Sequence, residues 1–154
     1  KNPSPAPNFE LPDINGNLVQ LSDFKGKKNL VLVFLRGYVT LLRAHLARLR
    51  DDYAAFTARD AEILAIGPDG PNAYRRYWSE NNLPYIGLPD PRHRVADLYG
   101  QEWNLFKMGR IPALLIVDKA GNIRYQHYSD SMKDIPENSL VLSLLDKINL
   151  EVGA

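Results

Sequence analysis

The stretch RIPALLIVDKAGNIRY, Arg110 to Tyr125, carries the most specific pattern in the chain. Pro112 heads a run of apolar residues, Ala113 to Val117. Asp118-Lys119-Ala120-Gly121-Asn122 then turns the chain into a second strand, Ile123 to His127. Proline donates no backbone hydrogen bond, so a strand admits it at its start or on an edge. The apolar run is therefore read as a buried strand that begins just after Pro112 and pairs with the next strand across a glycine-bearing turn. A closing hairpin of this kind gives the sheet an antiparallel edge.

Upstream, NLVLVFLRGYVTLLRAHLARL, Asn29 to Leu49, reads as a strand running straight into a helix. Leu30 to Leu35 is continuously apolar, which favours a strand covered on both faces and hence a parallel sheet. Leu42, Leu46, Leu49, Tyr53 and Phe56 follow at steps of four, three, four and three, and are read as one helical stripe. Glu62 to Ile66 is a second buried strand, ended by Gly67-Pro68-Asp69-Gly70-Pro71. Asn72 to Asn82 is helical in pattern, and Pro84 to Leu88 reads as a short strand. Arg92 to Tyr99 is a short helix closed by Gly100, a good C-terminal cap. Ser139 to Ile148 is a closing helix with Leu140, Leu144, Leu145 and Ile148 on one face.

At the other end, Lys1 to Asn8 is Pro-rich and extended. Phe9 and Leu11 alternate, Asn15-Gly16 turns, and Leu18 and Leu21 resume, as in a short hairpin. Lys25-Gly26-Lys27-Lys28 is an exposed turn. The order is hairpin, βαβα, a short segment, then ββα, which implies right-handed parallel crossovers. With no internal repeat or low-complexity tract, residues 1–154 read as a single domain.

A chain of 154 residues can bury a core without disulfides or metals. Its 45% hydrophobic and 24% charged content is that of a soluble globular protein. A net charge of +1 offers no electrostatic footprint for nucleic acid or an anionic membrane. No apolar run approaches the ~20 residues that span a bilayer. KNPSPAPNF lacks the apolar region of a signal peptide and begins without Met, as a trimmed chain would; the expected compartment is the cytoplasm. The cysteine count is zero, which excludes disulfides, thiolate metal ligands and thiol nucleophiles.

Three further stretches extend the pattern set by Arg110 to Tyr125. PAPNFELPDINGNLVQLSDFKGKKNLVLVF resembles the opening of the peroxiredoxin family, of the alkyl hydroperoxide reductase / thiol-specific antioxidant or redoxin type. GPDGPNAYRRYWSENNLPYIGLPDPRHRVADLYG resembles its middle, and YQHYSDSMKDIP a tail of some redoxins. The resemblance implies an α/β fold: a thioredoxin-like three-layer sandwich with a mixed central sheet, an N-terminal β-hairpin and flanking helices. It also implies a cis Ile111–Pro112 bond, since the matching proline of this fold is usually cis. The family's reaction is attack of a peroxidatic cysteine on a hydroperoxide. The thiolate is activated by a helix N-terminus and a nearby cation, becomes a sulfenic acid, and is reduced by another thiol.

The site is where the sequence departs from the family. The family pattern is Pro, three residues, Thr, two residues, Cys. Without gaps, Arg36 falls on the proline, Thr40 on the threonine and Arg43 on the cysteine. The other redoxin form, R-G-x-W-C-P-x-C-R, fits Arg36-Gly37 and the residues from Arg43 onward with a one-residue deletion, so that Val39 to Leu42 replace the W-C-P-x-C run. In either register no sulfur nucleophile remains. Arg43 is a permanent cation, neither nucleophile nor redox centre, and it opposes the helix dipole at a cost on the order of tenths of a kcal/mol. Thr40 is read as a helix cap or near-cap; an alcohol cannot run the sulfenate cycle. Arg36, Thr40 and Arg43 are the candidate catalytic or anion-binding residues, and hydroperoxides or small anions the candidate ligands. Tyr38, Trp103 and Arg110 are candidates to line a small pocket near Pro112, with YGQEWNLFKMG, Tyr99 to Gly109, loop-like.

The remaining chemistry-bearing residues read blandly. His45, His93 and His127 lack metal-ligand spacing and are taken as surface or packed histidines. Asp51-Asp52 and Asp130/Asp134 are taken as solvated faces, and Trp78 as core or rim. No cofactor, nucleic acid or membrane partner is expected, and the chain is a monomer or a homodimer. The functional expectation is a peroxiredoxin-lineage protein whose peroxidase activity is absent or severely reduced. The alternatives are a small-anion or protein-binding module at Arg36/Thr40/Arg43, and a degenerate thiol-disulfide oxidoreductase of the same fold.

Overall fold

A computed structural model describes residues 4–35, 42–100, 103–104, 109–110, 112–131 and 133–153. The central strand is β4 (Asn29–Phe34), buried at every position. It runs parallel to β5 (Ala61–Gly67) on one side and antiparallel to β9 (Ala113–Val117) on the other. β5 pairs in parallel with β6 (Ile86–Pro89), and β9 pairs antiparallel with β10 (Asn122–Tyr128). β1 (Ser4–Pro5) adds to the far side of β10, giving the order β1-β10-β9-β4-β5-β6. The antiparallel edge expected from the closing hairpin is thus present, with the extended N-terminal arm as its outermost piece. β2 (Glu10–Pro12) and β3 (Leu18–Gln20) form a separate hairpin. Its connection is wider than an Asn-Gly turn. The Asp13 carboxylate accepts the N–H groups of Asn15 and Asn17 at 2.8 and 2.9 Å, and Gly16 takes a φ of 85°.

The period-2 geometry of β4 sorts its side chains into two cores. Val31, Val33 and Leu35 face α1 (Arg43–Asp51), α2 (Tyr53–Thr57), α3 (Pro71–Glu80) and α5 (Asn138–Gly153). Leu30, Leu32 and Phe34 face the hairpin and α4 (Arg94–Leu98). The sheet is therefore the middle layer of three.

Several boundaries correct the sequence expectations. The stripe from Leu42 to Phe56 is two helices, not one. The break falls at Asp52, which has φ −101° and ψ 8°. There Asn138 donates to the Arg48 carbonyl at 3.0 Å and to Asp52 Oδ2 at 2.9 Å, so a side chain from the far end of the sequence occupies the turn. The helix expected from Arg92 starts only at Arg94. His93 is left-handed at φ 56°, and the Asp90 carboxylate accepts the N–H groups of Arg94, Val95 and Ala96. Gly100 adopts the φ of 71° expected of a closing glycine. The segment after Tyr99 is not all loop: β7 (Trp103–Asn104) and β8 (Gly109–Arg110) form a two-residue antiparallel ladder. Among the described residues no helix is long and apolar enough to cross a membrane.

Candidate functional site

The candidate site lies at the C-terminal end of β4, where parallel strands hand over to helices. The Leu35 N–H donates to the Ile66 carbonyl at 2.8 Å, so β4 and β5 stay zipped to their ends. The chain then passes through 36–41 and enters α1 at Arg43, with Leu42 at the N-cap position. Leu42 offers no capping side chain, and the first turn of α1 holds no acidic residue. The helix thus begins with its backbone donors uncompensated by a carboxylate or hydroxyl of its own. Arg43 is exposed at this turn, and no ion pair joins it to another described residue. Arg36, Tyr38 and Thr40 lie outside the described residues, as does Ile111 and with it the Ile111–Pro112 bond. Trp103 and Arg110 stand opposite each other in the β7–β8 ladder.

Two residues past Arg43, His45 is packed, one of the two placements the sequence allowed, but its surroundings were not foreseen. His45 is 3% exposed, and among the described residues neither Nδ1 nor Nε2 has a hydrogen-bond partner. Burial first, and then the Arg48 charge, hold its pKa down at about 4, so the ring is neutral at physiological pH. It borders a cavity of about 10 Å³ shared with Leu42, Pro112, Ser129 and Ile135, the size of a single water. Pro112 is buried there, and its carbonyl accepts the Ser129 N–H at 2.8 Å. Position 45 is three residues past Leu42 and four before Leu49, so helical spacing alone marks it as inward-facing. What spacing could not show is that no described residue hydrogen-bonds its ring nitrogens.

The other histidines and acids fall elsewhere. His93 occupies the first position before α4 in a left-handed conformation and leaves the capping to Asp90. His127 Nε2 stands 3.1 Å from Asp134 Oδ1, and Asp134 Oδ2 accepts the Asp130 N–H at 2.8 Å, so the Asp130/Asp134 pair orders its own loop. Asp52 closes the α1–α2 break. Trp78 is buried in the core, as expected. Among the described residues no group of three or more acidic or histidine side chains is placed to hold a metal ion. The larger clefts are away from the α1 start. One of about 270 Å³ lies at the opposite end of β4, under the N-terminal arm. Another of about 300 Å³ is walled by Pro12, Pro71, Pro89 and Pro91.

Comparison with known proteins fixes what this frame is similar to. The family model of the AhpC/TSA family matches residues 3–126, which spans the β4–α1 junction and the strand after Pro112. Peroxiredoxin Bcp of Bacillus subtilis (strain 168) is 27% identical over 135 residues, covering 84% of this chain and 85% of that protein. The chloroplastic peroxiredoxin Q of Oryza sativa subsp. japonica is 30% identical over 124 residues, covering 79% of this chain and 56% of that one. The crystal structure of peroxidoxin BcpB from Mycobacterium tuberculosis superposes with a TM-score of 0.84 at 22% identity, over 96% of this chain and 97% of that chain. Reduced 2-Cys peroxiredoxin of Plasmodium vivax gives 0.83 at 18% identity, over 97% of each.

Proposed function

We infer, from the premise that this chain belongs to the AhpC/TSA family, that it has left the thiol peroxidase reaction and keeps the scaffold without the chemistry. The observation that carries this is the absence of any cysteine among 154 residues. The reaction needs a polarizable thiolate that can be oxidised to a sulfenic acid and reduced again. Neither a guanidinium at position 43 nor a hydroxyl at position 40 can make that cycle. A methionine can be oxidised, but its recovery needs a dedicated reductase. In the ungapped motif register the start of α1 at Arg43 is where the family's thiolate would stand, and there it presents a cation in place of a nucleophile.

Peroxide consumption with excess dithiol, on the unmodified chain and on Arg43→Cys side by side, tests the reading. Thr40→Cys covers the other motif register. The unmodified chain is expected to consume no peroxide above the dithiol blank. Turnover in a cysteine variant alone would mean that the pocket is intact and only the nucleophile was lost. Turnover in the unmodified chain would overturn the proposal.

A second reading has one observation in its favour. Among the described residues no side chain caps α1 and no acid stands in its first turn, and Arg43 is exposed beside it. Such a terminus suits a small anion or an acidic group of a partner protein, with Arg36 and Thr40 as further contacts. Titration with inorganic phosphate, followed by the amide signals of Arg43 and Ala44, tests it. Saturable shifts lost in Arg43→Ala support this use; unmoved signals remove it. The matching relatives carry peroxiredoxin names, which favours that lineage over the thiol-disulfide oxidoreductase branch.

A further inference from the structure

Four aromatic side chains touch in series through the core on the helix-rich side of the sheet, and a fifth, Tyr77, branches from Trp78 at 6.2 Å. Tyr74 stacks on Trp78 with ring centroids 4.8 Å apart and planes at 23°. Trp78 meets Tyr85 edge-on at 5.9 Å, and Tyr85 meets Tyr53 at 6.2 Å. The strands are shaped to admit them. A Cβ at Gly87 would stand 2.7 Å from Trp78 Cε2, and one at Gly67 would stand 2.6 Å from the Tyr74 hydroxyl and 3.1 Å from Leu35 Cβ. The inner end of the series therefore lies against Leu35, at the strand end that leads into the candidate site. Tyr74, Trp78 and Tyr85 are buried, whereas Tyr53 on α2 is only partly so.

Ring packing alone would account for such a cluster, but the polar ends of the rings are treated differently. The Tyr74 hydroxyl donates to the Ala65 carbonyl at 3.2 Å, the Tyr85 hydroxyl to the Leu46 carbonyl at 2.6 Å, and Trp78 Nε1 to the Tyr85 carbonyl at 2.9 Å. Amide carbonyls accept hydrogen bonds but do not take protons. Tyr53 alone in the series donates to a carboxylate, with both oxygens of Glu62 at 2.9 Å. Glu62 follows buried Ala61 and precedes buried Ile63 on β5, a position where a carboxylate costs desolvation that an apolar residue would avoid. Its Oε2 also accepts the Ile63 N–H at 3.0 Å, so the carboxylate serves the start of β5 as well as Tyr53. A phenol that loses an electron becomes a strong acid, so an electron hole settles on the tyrosine whose proton has somewhere to go.

We propose that Tyr74, Trp78, Tyr85 and Tyr53 form a relay for oxidising equivalents, with the Tyr53–Glu62 pair as its terminus. A one-electron oxidant takes an electron from Trp78 and is itself reduced. The resulting indole radical cation is refilled by an electron from Tyr53 through Tyr85. As that electron leaves, the Tyr53 phenolic proton passes to the Glu62 carboxylate. The products are neutral Trp78, a neutral tyrosyl radical at Tyr53 and a protonated Glu62 carboxyl, so charge and protons balance. A one-electron donor in solution, such as ascorbate, then reduces the partly exposed Tyr53 and the proton returns from Glu62. The relay would carry a hole from beneath the candidate site to a place where small reductants reach it. It requires no thiol, and it stands apart from the loss of peroxidase chemistry proposed above.

The test is flash oxidation by a photogenerated ruthenium(III) complex in a Trp103→Phe background, where Trp78 is the one tryptophan left of two. The tryptophanyl absorption is expected to decay as tyrosyl absorption grows, at one rate that does not change with protein concentration. Tyr53→Phe should remove most of the tyrosyl signal. Glu62→Gln keeps every ring in place and should slow the transfer by about tenfold or more, because the positioned proton acceptor is gone. Tyrosyl growth that scales with protein concentration would overturn the relay. An unchanged tyrosyl yield in Tyr53→Phe would also overturn it, as would an unchanged rate in Glu62→Gln. If Tyr53→Phe does not fold, the Glu62→Gln rate decides alone.

Discussion

His45 shows how much one residue can set. Its ring is buried without partners beside Pro112, and its pKa sits at about 4 in the folded chain against 6.5 for an ordinary histidine. Between those values the unfolded chain binds a proton that the native chain does not. The His45 contribution to stability is therefore full above about pH 6.5 and falls as pH drops toward 4, by up to about 3 kcal/mol. His45→Leu removes the titrating group and keeps an apolar side chain of similar size. Urea denaturation at pH 7.5 and pH 4.5 should show the variant losing about 2 kcal/mol less than the parent on acidification. Equal losses in the two proteins would mean that the buried imidazole is not the acid-sensitive group. Its inward orientation was legible from the steps to Leu42 and Leu49. Its lack of partners was not, because the wall it meets, Ser129 and Ile135, lies more than eighty positions away in the sequence.

At the scale of elements, strands were easier to place than helix ends. Continuous apolar runs marked β4, β5 and β9 within a residue or so, because burial on both faces needs such runs. Helix ends depend on single polar side chains that arrive from elsewhere. Asp90 is the clearest instance: it sits before α4, is 2% exposed, and gathers three backbone N–H groups at 3.0–3.2 Å. Removing it leaves the buried N–H groups of Val95 and Ala96 without an acceptor. Asp90→Ala should cost about 2 kcal/mol in urea denaturation, and Asp90→Asn less, since an amide oxygen can still accept. Amide exchange at Val95 and Ala96 should quicken in Asp90→Ala beyond the change in global stability. Exchange that merely follows global stability would mean that α4 does not depend on this cap. The α1–α2 break has the same origin. Its apolar stripe is continuous through Tyr53 and Phe56, and only Asn138, from the last helix, shows why the axis turns at Asp52.

Across the whole molecule, α5 behaves as a bar held by two amide pins to chain segments remote in sequence, with the ion pairs Asp146–Arg59 and Glu151–Arg124 beside them. Near its start, Asn138 holds the Arg48 carbonyl and the Asp52 carboxylate at the α1–α2 break. Near its end, Asn149 donates to the Arg59 carbonyl at 2.8 Å and accepts from Asn29 Nδ2 at 2.8 Å, where α2 hands over to β5 and β4 begins. Val141, Leu145 and Ile148 lie buried between the pins. Asn138→Ala and Asn149→Ala should each cost about 1–2 kcal/mol by urea denaturation, because each removes two part-buried side-chain hydrogen bonds. The pins are about 16 Å apart along the helix, at ~1.5 Å per residue, and share no partner. If the apolar stripe between them holds α5 rigid, the double variant should lose the sum of the two within about 0.5 kcal/mol. A double variant that loses much more than the sum would show the opposite: that the stripe and the two ion pairs cannot seat α5 without an amide pin, and that each pin keeps the helix docked when the other is cut.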